Sequence, residues 1–126
     1  MKLEPLFYVK NLQKSVNFYR GILEFNLGEY FPDKTNPTYI PVFIDNYKLM
    51  LCLARESNQK FYNKGLGGSG TQLFIQTEKV DDIWKKVKDK VEIFDNIETK
   101  PWGDREFTIK DPDGYLLTFY STINQK

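Results

Sequence analysis

The 126-residue sequence contains no histidine. That absence removes the commonest general base, the commonest metal ligand and every Ser-His or Cys-His nucleophile system. Cysteine is almost missing as well. Cys52 stands alone, which excludes an internal disulfide and suits a reducing cytoplasm. No apolar run is long enough to span a bilayer. The start, Met1-Lys2-Leu3-Glu4-Pro5, lacks the apolar region of a signal peptide, so the expectation is a cytoplasmic protein with no membrane partner. An excess of either charge is lacking too: the net charge is +1, with Lys and Glu mixed along the chain. This leaves no one-sided basic footprint for a nucleic acid. Short clusters such as Lys85-Lys86-Val87-Lys88 read as a solvated helix face.

What remains is one domain's worth of chain, 40% hydrophobic, 28% charged and 16% aromatic. Glu4 to Val9 reads as a strand. Asn11 is placed to cap a helix over Leu12 to Ile22, where Leu12, Val16, Tyr19 and Leu23 recur at helical spacing; Gly21 or Gly28 would stop it. Leu27 to Phe31 reads as a strand ending at Pro32. Thr38 to Ile44 and Tyr47 to Leu53 form a hairpin around Asp45-Asn46, residues that tolerate the left-handed conformation of such a turn. Arg55 to Gly70 is a polar loop that becomes glycine-rich. It lacks the Lys-Ser/Thr of a phosphate-binding loop and reads as a linker. Strand Gln72 to Thr77, helix Val80 to Lys88, strand Val91 to Thr99 and a closing hairpin complete the chain. In that hairpin, Glu106 to Lys110 and Tyr115 to Tyr120 flank Asp111-Pro112-Asp113-Gly114, a turn in which Pro presets φ and Gly accepts a positive one.

The two halves repeat. Tyr115 lies 68 positions after Tyr47, and the same shift lays Glu4 on Gln72 and Val9-Lys10-Asn11-Leu12 on Thr77-Glu78-Lys79-Val80. The expected fold is α+β: two βαβββ modules, residues 1–56 and 70–122, joined by a linker at 57–69, in a single domain spanning 1–126. Each module would put a helix on the outer face of a curved mixed sheet and leave the inner face free to line a pocket. Alternation assigns those faces. Pro5, Phe7, Val9, Leu49, Leu51, Leu73, Ile75, Leu117 and Phe119 fall on the core side. Glu4, Leu6, Tyr8, Met50, Cys52, Gln72, Phe74, Gln76, Leu116, Thr118 and Tyr120 fall on the inner side.

The D-P-D-G-Y turn before an apolar strand, with the P-W-G-D-R-E-F run ahead of it, resembles the vicinal oxygen chelate superfamily of glyoxalases, bleomycin-resistance proteins and ring-cleaving dioxygenases. The second run resembles the bleomycin-resistance branch most. Metalloenzymes of that superfamily hold a divalent cation with His, Glu or Gln at four pseudo-symmetric strand positions, and the resemblance places these at Glu4, Met50, Gln72 and Thr118. A thioether and a hydroxyl in that set depart from the pattern, because hard cations need several carboxylates or carbonyls and soft ones need thiolates or imidazoles. The expectation is a metal-free site with no cofactor. Glu4, Tyr8, Met50, Gln72, Phe74, Trp102, Thr118 and Tyr120 are the candidate ligand-binding residues, with Phe61 and Tyr62 in the loop as further aromatic candidates. Trp102, between Pro101 and Gly103, is either a flat wall for a ligand or a plug over a sheet edge. Glu4 and Glu106 are candidate acid–base residues, or else carboxylates that pair with Lys48 or Arg105 or sit in water. Cys52 reads as a small buried side chain, not a nucleophile.

The resemblance implies a homodimer that sequesters a planar aromatic, drug-like molecule such as a bleomycin-type antibiotic. The near-neutral charge does not match a trap for a cationic drug. The alternatives are a glyoxalase-like lyase, isomerase or dioxygenase with a non-standard site, and a regulatory module with an occluded cleft.

Overall fold

A computed structural model describes residues 1–67 and 70–122. Gly68 and Ser69, in the expected linker, lie outside the described residues. The chain forms two compact units, Met1–Leu66 and Gly67–Lys126.

The first unit runs β1 (Leu6–Val9), α1 (Leu12–Val16), β2 (Asn26–Leu27), β3 (Tyr39–Ile44) and β4 (Tyr47–Leu53), with strand order β1-β4-β3-β2. Asn11 caps α1 as expected: its side chain accepts the Lys14 N–H at 3.0 Å. The helix does not stay α-helical to Ile22. It widens into a π-helical stretch over Asn17–Ile22. Its end is set not by a glycine but by Glu24, which takes a φ of 64°, while the Phe25 N–H returns to the Tyr19 carbonyl. Phe7, Val9, Leu12, Val16, Tyr19, Ile40, Val42, Leu49 and Leu51 are buried together as the core.

The strand expected at Leu27 to Phe31 is interrupted. Only Asn26 and Leu27 pair with β3, and Phe31 makes an isolated bridge to Tyr39. The reason is local. Gly28 lies so close to Pro41 that a Cβ would stand 2.6 Å from its ring, and Pro41 has no N–H with which to extend the ladder. The long loop also holds an element that the sequence reading missed, a 3-10 stretch at Glu56–Phe61. The Asn58 side chain fixes it by accepting the Arg55 N–H at 2.8 Å and donating to the Leu53 carbonyl at 3.1 Å.

The second unit runs β5 (Gln72–Gln76), α2 (Val80–Val87), β6 (Glu92–Thr99), β7 (Asp104–Lys110) and β8 (Leu116–Thr122), in the order β5-β8-β7-β6. The order copies that of the first unit, and so does the register. Leu6 lies opposite Met50 in one parallel pair, and Phe74 opposite Thr118 in the other. On the helix side, Trp84 of α2 packs on Phe107, ring centres 5.1 Å apart, and Phe107 stacks on Phe119. Arg105 grips Asp81 of α2 through Nε and Nη2. Asp81 and Asp82 at the start of α2, and Lys85 and Lys86 at its end, oppose the helix dipole.

β6, β7 and β8 form a meander joined by two turns of one design. In each, the residue before a proline both donates to and accepts from the far side: Lys100 with Gly103 and Asp104, Asp111 with Gly114 and Tyr115. Gly103 and Gly114 supply the positive φ, at 100° and 94°. This is the three-residue hairpin with a glycine bulge. Buried Asp111 tightens the second turn, its Oδ1 accepting the N–H groups of Asp113 and Tyr115 at 2.9 Å each.

Candidate functional site

Strand alternation sets which side chains are available on the faces opposite the helices. In the first unit these are Leu6 and Tyr8 of β1, Tyr39 of β3, and Lys48, Met50 and Cys52 of β4, with Glu4 just before β1. Glu4 is half-buried and sits between two lysines, 3.3 Å from Lys2 Nζ and 3.8 Å from Lys48 Nζ. Burial, the Glu4 charge and Cys52 all raise the Tyr39 phenol above its ordinary pKa. Burial also raises the Tyr8 phenol, followed by Cys52 and Tyr62.

Tyr8 is part of an aromatic cluster supplied by the long loop. Phe61 lies parallel to it, ring planes 5° apart and centres 6.1 Å apart, and Tyr62 tilts against it at 5.4 Å. Tyr62 is held by its hydroxyl, which donates to the Arg55 carbonyl at 2.7 Å. Phe61 remains 65% exposed. Beyond this cluster a pocket of about 490 Å³ opens between Lys10, Ala54 and the loop residues Gln59, Tyr62 and Asn63. No inner-face strand residue lines it; Tyr62, which touches Tyr8, connects the two.

In the second unit the face opposite α2 carries Gln72, Phe74 and Gln76 of β5, Leu116, Thr118 and Tyr120 of β8, and Glu106, Thr108 and Lys110 of β7. A hydrogen-bonded row crosses three strands: the Gln72 amide donates to Thr118 Oγ1 at 2.8 Å, and the Thr118 and Thr108 hydroxyls meet at 2.7 Å. Thr118 and Thr108 are buried. Phe74, 56% exposed, meets Tyr120 edge to face at 5.8 Å. Glu106 is 94% buried (6% exposed), and its Oε1 has no hydrogen-bond partner among the described residues. Trp102 stands on the β6–β7 turn, 66% exposed.

The candidates therefore fall into two groups. Glu4, Tyr8 and Met50 share one face of the first unit. Gln72, Phe74, Thr118, Tyr120 and Glu106 share one face of the second, and Trp102 belongs to a turn of that unit. Tyr39, Asn58 and Thr108 escaped the sequence reading. Thr108 was the most findable, since it and Thr118 lie equally far on either side of Asp113 in the turn, as hairpin partners must.

The four positions at which metalloenzymes of this type bind a cation can be tested by their donors. The Glu4 carboxylate lies between two ammonium groups, Met50 offers only a thioether, and Gln72 and Thr118 offer only an amide and a hydroxyl, the amide nitrogen donating to the hydroxyl. Among the described residues no group of three or more His, Cys, Asp or Glu could hold a metal. This donor set does not fit a divalent cation.

No curated protein matches the chain in sequence. Solved structures do match it in shape. A glyoxalase/bleomycin resistance protein/dioxygenase from Nocardioides superposes with a TM-score of 0.78 at 14% identity, covering 100% of this chain and 85% of that one. TioX from Micromonospora sp. ML1 gives 0.78 at 16% identity, over 97% and 98% of the two chains. TnmS3, an antibiotic binding protein from Streptomyces sp. CB03234, gives 0.69 at 21% identity, over 97% of each. The family model of the Glyoxalase/Bleomycin resistance protein/Dioxygenase superfamily matches residues 4–119, and with the duplicated four-stranded sheets it establishes that the chain belongs to this superfamily.

Proposed function

We propose that this protein binds a flat, aromatic small molecule on the faces opposite its helices and does so without a catalytic metal. Sequestration of a bleomycin-like or other aromatic antibiotic is the specific form of that role. One observation carries the reading: the four side chains at the superfamily's metal positions are one carboxylate flanked by two lysines, a thioether, an amide and a hydroxyl. Such a set leaves a divalent cation without the charged oxygens it needs, whereas the exposed rings beside it suit stacking. The likeness to an antibiotic binding protein from Streptomyces sp. CB03234 supports the same reading. A homodimer in the cytoplasm accompanies this proposal.

Titration calorimetry with bleomycin and with a neutral anthraquinone tests it, alongside elemental analysis of protein purified without chelator. Saturable heat with either compound and no stoichiometric Ni, Zn, Fe or Mn is the expected pair of results. A bound stoichiometric metal, or no heat with any planar aromatic, defeats the reading. Buried, unpartnered Glu106 favours one alternative, a lyase, isomerase or dioxygenase working by carboxylate chemistry. That alternative requires Glu106→Gln to abolish turnover of a substrate that the wild type converts.

A further inference from the structure

We infer that Glu106 is the anchor for a protonated nitrogen of the ligand, so that the second unit selects a cationic aromatic molecule. The inference rests on the small-molecule-binding reading and adds the ligand's charge and the residue that recognises it.

Its starting point is an unfinished interaction. Glu106 is 6% exposed and Oε1 has no hydrogen-bond partner among the described residues. Leaving a buried carboxylate oxygen unmatched is costly, and such groups are rare in folded proteins. The cations nearest in sequence are committed elsewhere. Arg105, on the opposite face of β7, holds Asp81 of α2. Lys100 holds Asp95 and Glu98, at 2.8 and 2.6 Å. Lys110 lies 3.5 Å from Glu92. Glu106 was thus left out of a local charge network that serves its neighbours.

Its direction is fixed by the strand. Arg105 and Phe107 both touch α2, through Asp81 and Trp84. Glu106, between them, points to the other face, where its cross-strand neighbours are Tyr120 of β8 and Glu98 of β6, the latter held by Lys100. Tyr120 pairs with Phe74, whose ring is 56% exposed. A flat ring can therefore lie on Phe74 while a charged N–H donates to the carboxylate on the strand beside Tyr120. Donation from a cation to a carboxylate is among the stronger hydrogen bonds, and low local polarity strengthens it.

The test uses two fluorescent three-ring probes: proflavine, cationic at neutral pH, and acridone, neutral. Wild-type protein is expected to bind proflavine at least about tenfold more tightly than acridone. Glu106→Gln, checked for folding by circular dichroism, is expected to lose about tenfold or more of the proflavine affinity and to keep acridone within about twofold. Equal proflavine binding by wild type and variant overturns the role of Glu106 and leaves ligand binding intact. A wild type that binds acridone as tightly as proflavine overturns the charge selection. Binding of neither probe overturns this inference together with the reading beneath it. If the variant does not fold, wild-type protein labelled at glutamate carboxyl carbons decides. A buried carboxylate resonance must move with proflavine and not with acridone; if it is unmoved by proflavine, the inference fails.

Discussion

Tyr39 illustrates how one side chain ties stability to the candidate site. Its phenol is raised by burial, by the negative charge of Glu4 and by Cys52. A group whose folded pKa exceeds its unfolded value binds its proton more tightly in the native state. Its contribution is complete below the unfolded phenol value and fades as pH climbs through the folded one. The protein should therefore lose stability above about pH 10, and Tyr39→Phe should flatten that loss without altering the melting midpoint at neutral pH by more than a few degrees. Thermal melts across the alkaline range check this. Glu106 makes the complementary case. Removing an unmatched buried charge should stabilise the ligand-free protein, so Glu106→Gln is expected to raise its melting temperature rather than lower it. At this scale the sequence revealed residue types but not partners. It offered Lys48 as a mate for Glu4, and the structure places them 3.8 Å apart. It also offered Arg105 as a mate for a carboxylate, but Arg105 and Glu106 are neighbours on one strand and so point to opposite faces. Cys52 is half-buried, with Asn58 Nδ2 3.8 Å from its sulfur, a contact that only the folded loop creates.

Elements differ in how much of their stability is packing and how much is charge. α2 is attached to its sheet by Trp84 on Phe107 and by the Arg105–Asp81 pair. Trp84→Ala should cost about 2–4 kcal/mol through lost contact area. Asp81→Asn should cost under about 1 kcal/mol, since that pair is solvent-exposed and salt-screened. Denaturant melts of the two variants test the ordering. Glycines give a second contrast. A Cβ on Gly67, at φ 97°, would stand 2.6 Å from the Asp113 carbonyl, whereas Gly21 has open space and an ordinary backbone. Gly67→Ala should destabilise by at least about 1 kcal/mol, and Gly21→Ala should stabilise by about 0.5–1 kcal/mol. Most elements were legible because their signals are local: alternation in β1, β4, β5 and β8, helical spacing in α1, Pro-x-Gly at the turns. β2 was not, because its shortness depends on Pro41 of another strand. The end of the first helix was not, because the left-handed residue there is a glutamate. The 3-10 stretch hid in a segment with no apolar period at all.

At the level of the whole molecule, duplication was the most legible feature. It survives as two sheets with the same strand order and the same parallel register. The donor positions came with it, and their chemistry separates two classes of partner. Added Ni²⁺ or Zn²⁺ should leave the melting temperature unchanged, since an ion without a site adds no binding free energy to the native state. A ligand at a hundred times its dissociation constant should stabilise the protein by about 2.7 kcal/mol. Differential scanning calorimetry with each addition distinguishes them, and an upward shift with metal alone would contradict the donor argument.

The meander of β6, β7 and β8 has a consequence for how the chain reaches this state. Its two glycine-bulged turns join neighbours in sequence, so those strands can meet early, with little entropy lost to loop closure. The parallel pairs β1 with β4 and β5 with β8 must wait until the rest of their own module has been gathered in. Folding is thus expected to nucleate in the second half and to finish at the opening strand. In a pulse-labelling experiment, amides of Asp104–Lys110 and Leu116–Thr122 should become shielded from exchange before those of Leu6–Val9.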